Sequence, residues 1–206
     1  MPNEWLNVKL NTSKLLAQLI PLGSRILSYG YGLGIIEKYL IENYGIDEIY
    51  GFDFASSSLI SYKDENFQRI TSIEDMPLEY FDVIILSQVI YALEDLEVVN
   101  LLKSLSSYLK YNGKLIISHF SIKSHENGIF LPQRFYRKLL ENKTTNFAKN
   151  LLLRNNKKFE IQGWGNIRDN ELVEFLAKRA GFKEMIFICA SSQSFLVCSG
   201  DLNTEL

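Results

Sequence analysis

The sequence predicts an α/β fold in which helices cover both faces of a mostly parallel sheet. Strand-like and helix-like apolar segments alternate from residue 25 to residue 119, one strand candidate is apolar along nearly its whole length, and two short apolar runs near the end can pair as a hairpin. Alternating strands and helices form parallel sheets with right-handed crossovers, and strands covered on both faces are almost continuously apolar. Sheets of this kind bind ligands outside the carboxyl ends of their strands.

The first strand and helix are joined by a glycine-rich loop. An opening helix is predicted over residues 4–20, where apolar residues have an imperfect helical spacing that ends at Pro21. A short buried strand follows at 25–29, and the apolar spacing of residues 35–44 predicts a helix. The loop between them contains Gly30, Gly32 and Gly34.

The same alternation continues to the end of the chain. Four further strands are predicted before residue 120, over 48–52, 67–73, 81–87 and 114–119. Helices are predicted over 56–63 and 94–110, and Asn112-Gly113 ends the second of them. Near the carboxyl terminus, Asp169 or Asn170 caps a helix that runs to Arg179 and ends at Gly181, and the hairpin pairs residues 185–190 with 195–198.

Composition favours one domain over residues 1–206, since 47% of the 206 residues are apolar and can form one core. The net charge of −2 disfavours a nucleic-acid-coating protein. The amino terminus does not resemble a secretory signal, and no apolar run approaches the ~20 residues of a membrane span. With only Cys189 and Cys198 present, we expect reduced thiols and a cytoplasmic protein.

Positive charge is concentrated in residues 120–165, a predicted insertion with nine Lys or Arg and three Glu. Its net charge of +6 contrasts with −8 for the rest of the chain. As a lid over the site, it can clamp an anionic acceptor through Arg134 and Arg137, while Trp164 lines an apolar pocket. A solvated helix face, with aromatic side chains that only pack the segment down, would produce the same pattern.

The three glycines and Asp53 predict a nucleoside cofactor. Glycines where a strand turns into a helix allow positive φ and bring backbone N–H groups close to a ligand. Asp53 lies 19 residues beyond Gly34, near the spacing at which an acid reaches ribose hydroxyls. The dinucleotide fingerprint would require glycine at position 35, where this chain has Ile35. A tight turn without any ligand would also explain the glycines.

The G-x-G-x-G order resembles the first motif of the class I S-adenosylmethionine-dependent methyltransferases. The resemblance continues through Asp53, Glu74-Asp75-Met76-Pro77, the strand that begins at Phe81, and Ala180-Gly181-Phe182. It implies a three-layer Rossmann-like methyltransferase fold with a mostly parallel seven-stranded sheet, one antiparallel strand and a carboxyl-terminal antiparallel hairpin. It also implies S-adenosylmethionine as cofactor and S-adenosylhomocysteine as product.

The resemblance further implies which residues bind. The methionine part of the cofactor lies over the glycine loop, the ribose on Asp53, and adenine against Ile73. Ser87, Gln88 and Tyr91 contribute to the floor between cofactor and acceptor. The cofactor-binding candidates are Ser28, Gly30, Tyr31, Gly32, Gly34, Asp53, Phe54, Ser72, Ile73, Ser87 and Gln88. The acceptor candidates are Tyr91, Arg134, Arg137 and Trp164.

Two serines depart from the family pattern. The position of Ser28 is usually an acid that serves the amino group of the cofactor, and that of Ser72 is often an Asp that binds the adenine amine. A hydroxyl can replace either acid directly or through water, but without the ionic contribution. A relative that binds the cofactor without turnover therefore stays open.

Methyl transfer needs alignment of the nucleophile, and a base only where the accepting oxygen or nitrogen carries a proton. His119, at the end of the fifth strand, is the candidate base, and a hydrogen-bonded structural role is the competing interpretation. No metal site is expected. The leading hypothesis is O- or N-methylation of a small molecule, with anionic and sugar-like compounds as candidates and no membrane partner. RNA methylation and NAD(P)-linked oxidoreduction are the competing hypotheses.

Overall fold

The computed structural model describes residues 3–54, 64–119, 168–190 and 193–199. The predicted helix over residues 56–63 and the basic insertion over 120–165 lie outside these ranges. Within these ranges lie the glycine loop, seven strands that form one sheet, and four α-helices.

The sheet has seven strands in the order β3-β2-β1-β4-β5-β7-β6. The strands are β1 Ile26–Tyr29, β2 Ile49–Phe52, β3 Phe67–Arg69, β4 Phe81–Ser87, β5 Leu109–His119, β6 Glu184–Ala190 and β7 Gln193–Ser199. Strands β1 to β5 pair in parallel, whereas β7 is antiparallel to both β5 and β6. The prediction of a mostly parallel seven-stranded sheet with a carboxyl-terminal hairpin is confirmed.

Four α-helices are described: α1 Asn3–Leu19, α2 Ile35–Tyr44, α3 Asp95–Ser106 and α4 Asn170–Arg179. Helix α2 has the predicted bounds, and α1 begins and ends one residue before them. Asp169 caps α4 as predicted, since its Oδ1 accepts a hydrogen bond of 2.8 Å from the Leu172 N–H. Within the described ranges, no helix is both long and apolar enough to cross a membrane.

The prediction for residues 94–110 is wrong at its carboxyl end. Helix α3 ends at Ser106, and β5 already begins at Leu109. Gly113 lies inside β5, where the pairing with β4 shifts register. A Cβ at Gly113 would lie 2.9 Å from the Lys110 carbonyl oxygen. The glycine therefore permits close backbone packing at a bulge, rather than ending a helix.

Each face of the sheet has its own apolar core. Helices α3 and α4 pack on the face that includes Leu27, while α1 and α2 pack on the face that includes Ile26. Successive strand residues point to opposite faces, so Ser28 shares the α1 and α2 face with Ile26. The polar side chain of Ser28, near the carboxyl end of β1, thus lies on the face that α1 and α2 cover.

Candidate functional site

The glycine loop connects β1 to α2 through three left-handed residues. Gly30, Gly32 and Gly34 have φ of 76°, 60° and 69°, and α2 begins immediately after Gly34. Residues other than glycine rarely adopt this backbone conformation. The loop leads directly into a helix amino terminus, where backbone N–H groups favour an anionic group of a ligand.

The loop also packs closely against the segment after β4. A Cβ at Gly30 would lie 2.6 Å from Cγ2 of Val89, which is shorter than any ordinary contact. Glycine at position 30 is therefore required by the neighbouring side chain as well as by φ. This contact holds the glycine loop beside the carboxyl end of β4, where the sequence predicts the floor of the site.

Asp53 follows β2 and is hydrogen-bonded to the glycine loop. Strands β1 and β2 end side by side, with Tyr29 opposite Phe52, and the Gly32 N–H donates to Oδ2 of Asp53 over 2.7 Å. Phe54 is 79% exposed, and its ring has edge contacts with Tyr29 and Phe52. The structure thus brings the predicted ribose-binding acid and the glycine loop together.

Ser28 has an acidic partner that sequence reasoning missed. Its hydroxyl donates to Oε1 of Glu37 over 2.5 Å, and Glu37, in the first turn of α2, is only 1% exposed. Burial raises the pKa of the Glu37 carboxyl, and the Ser28 hydrogen bond opposes that shift. Glu37 lies three and four residues before the buried Leu40 and Ile41. That spacing was the available signal that it faces inward.

Ser72 has a similar partner in the loop after β3. Its hydroxyl donates to the Glu74 carboxylate, and the Glu74 N–H donates to Oγ of Ser72 over 3.2 Å. This hydroxyl holds the pKa of Glu74 below its usual value. Ile73 between them is buried in the core on the α3 face. Both serines that depart from the expected acids therefore contact a glutamate.

The carboxyl end of β4 carries an unusual backbone conformation. Gln88 has φ of 61°, a left-handed value that is uncommon outside glycine, and its N–H donates to the Ser118 carbonyl over 2.9 Å. The hydroxyls of Ser87 and Ser118 are 3.2 Å apart. Tyr91, in a short 3₁₀ helix, is 44% exposed. Ser87, Gln88 and Tyr91 thus lie in sequence along the predicted floor.

His119 is the last residue of β5 and lies at the same edge of the sheet. It is 4% exposed and pairs with Ser194 of β7 in the antiparallel register. The predicted base is therefore a buried strand-end residue next to Ser118, whose side chain contacts Ser87.

Arg134, Arg137 and Trp164 lie outside the described residues. Arg168, just after the insertion, is described and is 3% exposed. Its guanidinium donates to the carbonyls of Ile90 and Leu93 over 2.7 Å each and to Asp95. The chain that leaves the insertion is thus attached to the 3₁₀ helix that contains Tyr91.

The comparisons with known proteins agree with this geometry. A family model described as a methyltransferase domain matches residues 5–184. The chain belongs to this methyltransferase family. The family assignment inferred from the glycine motif is confirmed, and S-adenosylmethionine is the cofactor of this class. No curated protein matches the sequence.

Solved methyltransferase structures share the fold. A putative O-methyltransferase from Nostoc punctiforme superposes with a TM-score of 0.63 at 16% identity, over 95% of this chain and 60% of that one. Human N-acetylserotonin methyltransferase, solved with S-adenosylmethionine, gives 0.61 at 17% identity over 94% and 56%. CalO1, a methyltransferase of calicheamicin biosynthesis solved with S-adenosylhomocysteine, gives 0.64 at 15% over 93% and 54%. The chain spans somewhat over half the length of those proteins.

The residues at the carboxyl edge of the sheet fit such a cofactor. Oε2 of Glu37 and Nε2 of Gln88 are buried without a hydrogen-bond partner among the described residues, as is Nε2 of Gln193 at the start of β7. Buried polar atoms are normally hydrogen-bonded, and each unmet group costs about 1–3 kcal/mol. Unmet groups of this kind suit a polar ligand with both donors and acceptors.

Proposed function

We propose that this protein transfers a methyl group from S-adenosylmethionine to an oxygen or nitrogen atom of a small-molecule acceptor. The observation that carries the proposal is the hydrogen bond between Gly32 and Asp53 in a loop of three left-handed glycines. It joins the two parts of the predicted nucleoside site at the carboxyl edge of a methyltransferase-type sheet.

The cofactor is held by residues from four strand ends in this proposal. The glycine loop faces the methionine part, Asp53 accepts hydrogen bonds from the ribose hydroxyls, and Ile73 supports the adenine. The remaining members of the set are Ser28, Tyr31, Phe54, Ser72, Ser87 and Gln88. When bound, S-adenosylmethionine supplies an electrophilic methyl group on a sulfonium.

Residues of this chain orient the acceptor and remove its proton. Because the displacement is in line, the floor formed by Ser87, Gln88 and Tyr91 contributes by aligning the acceptor atom. His119 is the proposed base where that atom carries a proton. We expect His119→Ala to reduce methylation of a hydroxyl acceptor with little effect on cofactor affinity. Full turnover by this variant would remove His119 from the mechanism.

We also propose the chemical class of the acceptor. Human N-acetylserotonin methyltransferase acts, by its name, on a small molecule, and CalO1 is named for the biosynthesis of one. The excess of positive charge in residues 120–165 favours an anionic acceptor, with Arg134, Arg137 and Trp164 as contacts, and a sugar-like compound is the second candidate. A cytoplasmic location is also proposed, because Cys189 and Cys198 are free thiols, which fits a reducing compartment.

Transfer of a labelled methyl group tests the reaction and the acceptor class together. The purified protein is incubated with methyl-labelled S-adenosylmethionine and either a small-metabolite extract or total RNA. Label in the small-molecule fraction supports the proposal, whereas label in RNA with steep salt dependence favours RNA methylation. Tight cofactor binding without transfer to any acceptor would indicate a relative that binds without turnover.

A further inference from the structure

Glu37 is a buried acid outside the predicted set of cofactor residues. Oε1 accepts the Ser28 hydroxyl, while Oε2 is buried and has no hydrogen-bond partner in the described part of the chain. The Glu37 side chain is 1% exposed, and burying a carboxyl group with only one of its oxygens hydrogen-bonded costs free energy. Its second oxygen therefore has unused capacity to accept a hydrogen bond from a ligand.

The charged groups near Glu37 are a lysine and a second acid. Burial is the main cause of the raised pKa of Glu37; of the two neighbouring charges, Lys9 of α1 lowers this pKa and Asp53 raises it to a smaller extent. The Tyr31 hydroxyl of the loop also interacts electrostatically with Glu37. Burial lowers the pKa of Lys9 and so disfavours its charged form. The surroundings of Glu37 thus combine a second acid with a lysine whose own charge is disfavoured by burial.

We infer that Glu37 binds the α-ammonium group of S-adenosylmethionine, with the Ser28 hydroxyl holding its carboxylate in place. The inference rests on the proposed function. The cofactor carries two positive groups, but only the ammonium has N–H donors that can satisfy Oε2. The sulfonium has none. The carboxylate expected at position 28 of β1 is in this chain supplied from α2, one hydrogen bond away.

The test compares two ligands on matched variants by calorimetric titration. S-adenosylhomocysteine contains the α-ammonium group, and 5′-methylthioadenosine lacks the amino-acid part. Glu37→Gln should weaken S-adenosylhomocysteine by about 10- to 100-fold, the range for one charge-assisted hydrogen bond. The affinity for 5′-methylthioadenosine should not change. Glu42→Gln, on the exposed side of the same helix and ion-paired with Lys38, is the control and should bind both ligands normally.

A relocated carboxylate provides the rescue. The double variant Ser28→Asp/Glu37→Gln places an acid on β1 and an amide on α2, so the charge and the hydrogen bond between the two positions are kept. Its affinity for S-adenosylhomocysteine should return to within about threefold of the wild-type affinity. A purely structural role for Glu37 would predict lower thermal stability of Glu37→Gln with no selective loss of one ligand.

Proton release tests the inference on the unaltered protein. An ammonium beside Glu37 stabilises its ionised form, so binding of S-adenosylhomocysteine should release a proton at pH values between 4.5, the ordinary pKa of the carboxyl, and its raised pKa in the ligand-free protein. Titration in buffers of different ionisation enthalpy measures this release. In the described part of the chain, the other titratable groups that interact with Glu37 are Lys9, Tyr31 and Asp53. Binding of 5′-methylthioadenosine should release none.

The outcomes separate this inference from the proposed function. Unchanged affinity of Glu37→Gln for S-adenosylhomocysteine overturns the role of Glu37 and leaves the methyltransferase proposal intact. If Glu37→Gln does not fold, the absence of proton release from the wild-type protein overturns the role of Glu37 instead. If the wild-type protein binds neither S-adenosylhomocysteine nor S-adenosylmethionine, both the inference and the proposed function fail.

Discussion

At the scale of single residues, Asp53 connects the glycine loop to the second strand. Its carboxylate accepts the Gly32 N–H over 2.7 Å, and the ribose hydroxyls are its proposed ligands. Asp53→Ala should weaken S-adenosylhomocysteine by about 1–3 kcal/mol through loss of charge-assisted hydrogen bonds. Calorimetric titration measures this loss, with the exposed Asp47→Ala as control. An unchanged affinity would remove Asp53 from the site.

Glu37 should make the ligand-free protein less stable as pH rises. Burial raises its pKa above that of the unfolded chain, so the folded state holds a proton that the unfolded state has already lost. The free energy of unfolding contributed by this group therefore falls as pH rises from about 4.5 through the folded pKa. Glu37→Gln has no such group, so the melting temperature of the wild-type protein should fall relative to that of Glu37→Gln as pH increases. A constant difference across this range would contradict the buried ionisable state.

The contrast between these two acids shows what a sequence can reveal about a site. Asp53 follows a strand at a fixed distance from Gly34, so spacing alone identified it. Glu37 lies within a helix, where an acid ordinarily occupies the solvated face. Its role depends on contact with Ser28 from a neighbouring strand, which only the packed structure contains. The serine departure was visible in the sequence, but its compensation was not.

At the scale of elements, the contact between Gly30 and Val89 holds two loops together. Gly30→Ala should destabilise the fold by about 1–2 kcal/mol for the left-handed φ and by a further ~1–3 kcal/mol for the clash. Gly23→Ala is the matched control, because φ is 73° there and its Cβ would meet open space. Denaturant unfolding should show the larger loss at Gly30, partly restored by Val89→Ala. Equal losses at both glycines would refute the close contact.

Arg168, which follows the insertion in sequence, contacts the 3₁₀ helix that contains Tyr91. Arg168→Met leaves the carbonyls of Ile90 and Leu93 without these donors and should cost about 3 kcal/mol of unfolding free energy. Arg179→Met, at an exposed position of α4, should change stability by less than about 0.5 kcal/mol. Thermal or denaturant unfolding of the pair decides this. Similar stability of both variants would show that the Arg168 contacts contribute little.

The elements themselves were predictable where one periodicity dominated. Strand β4 and helix α2 have the predicted bounds, since continuous apolar residues and helical spacing are clear signals there. The boundary between α3 and β5 was not, because Asn112-Gly113 resembles a helix end. In the structure, Gly113 allows a bulge against β4, a requirement that arises only from strand pairing.

At the scale of the whole molecule, the topology brings the site together. The parallel strands β1, β2 and β4 end at one edge, which places the glycine loop, Asp53 and Gln88 side by side although they are far apart in sequence. The alternation of strands and helices predicted this convergence. The buried atoms that lack partners among the described residues at the same edge were not predictable, because they depend on side-chain packing.

Whether this edge of the sheet binds an adenosyl cofactor is decided by calorimetric titration of the wild-type protein with S-adenosylmethionine and S-adenosylhomocysteine. We expect saturable binding of both ligands at one site per chain. A nicotinamide dinucleotide should not bind, because Ile35 replaces the third glycine of the dinucleotide fingerprint. Tight binding of the nicotinamide cofactor, with no heat from either adenosyl ligand, would contradict the assignment of the site.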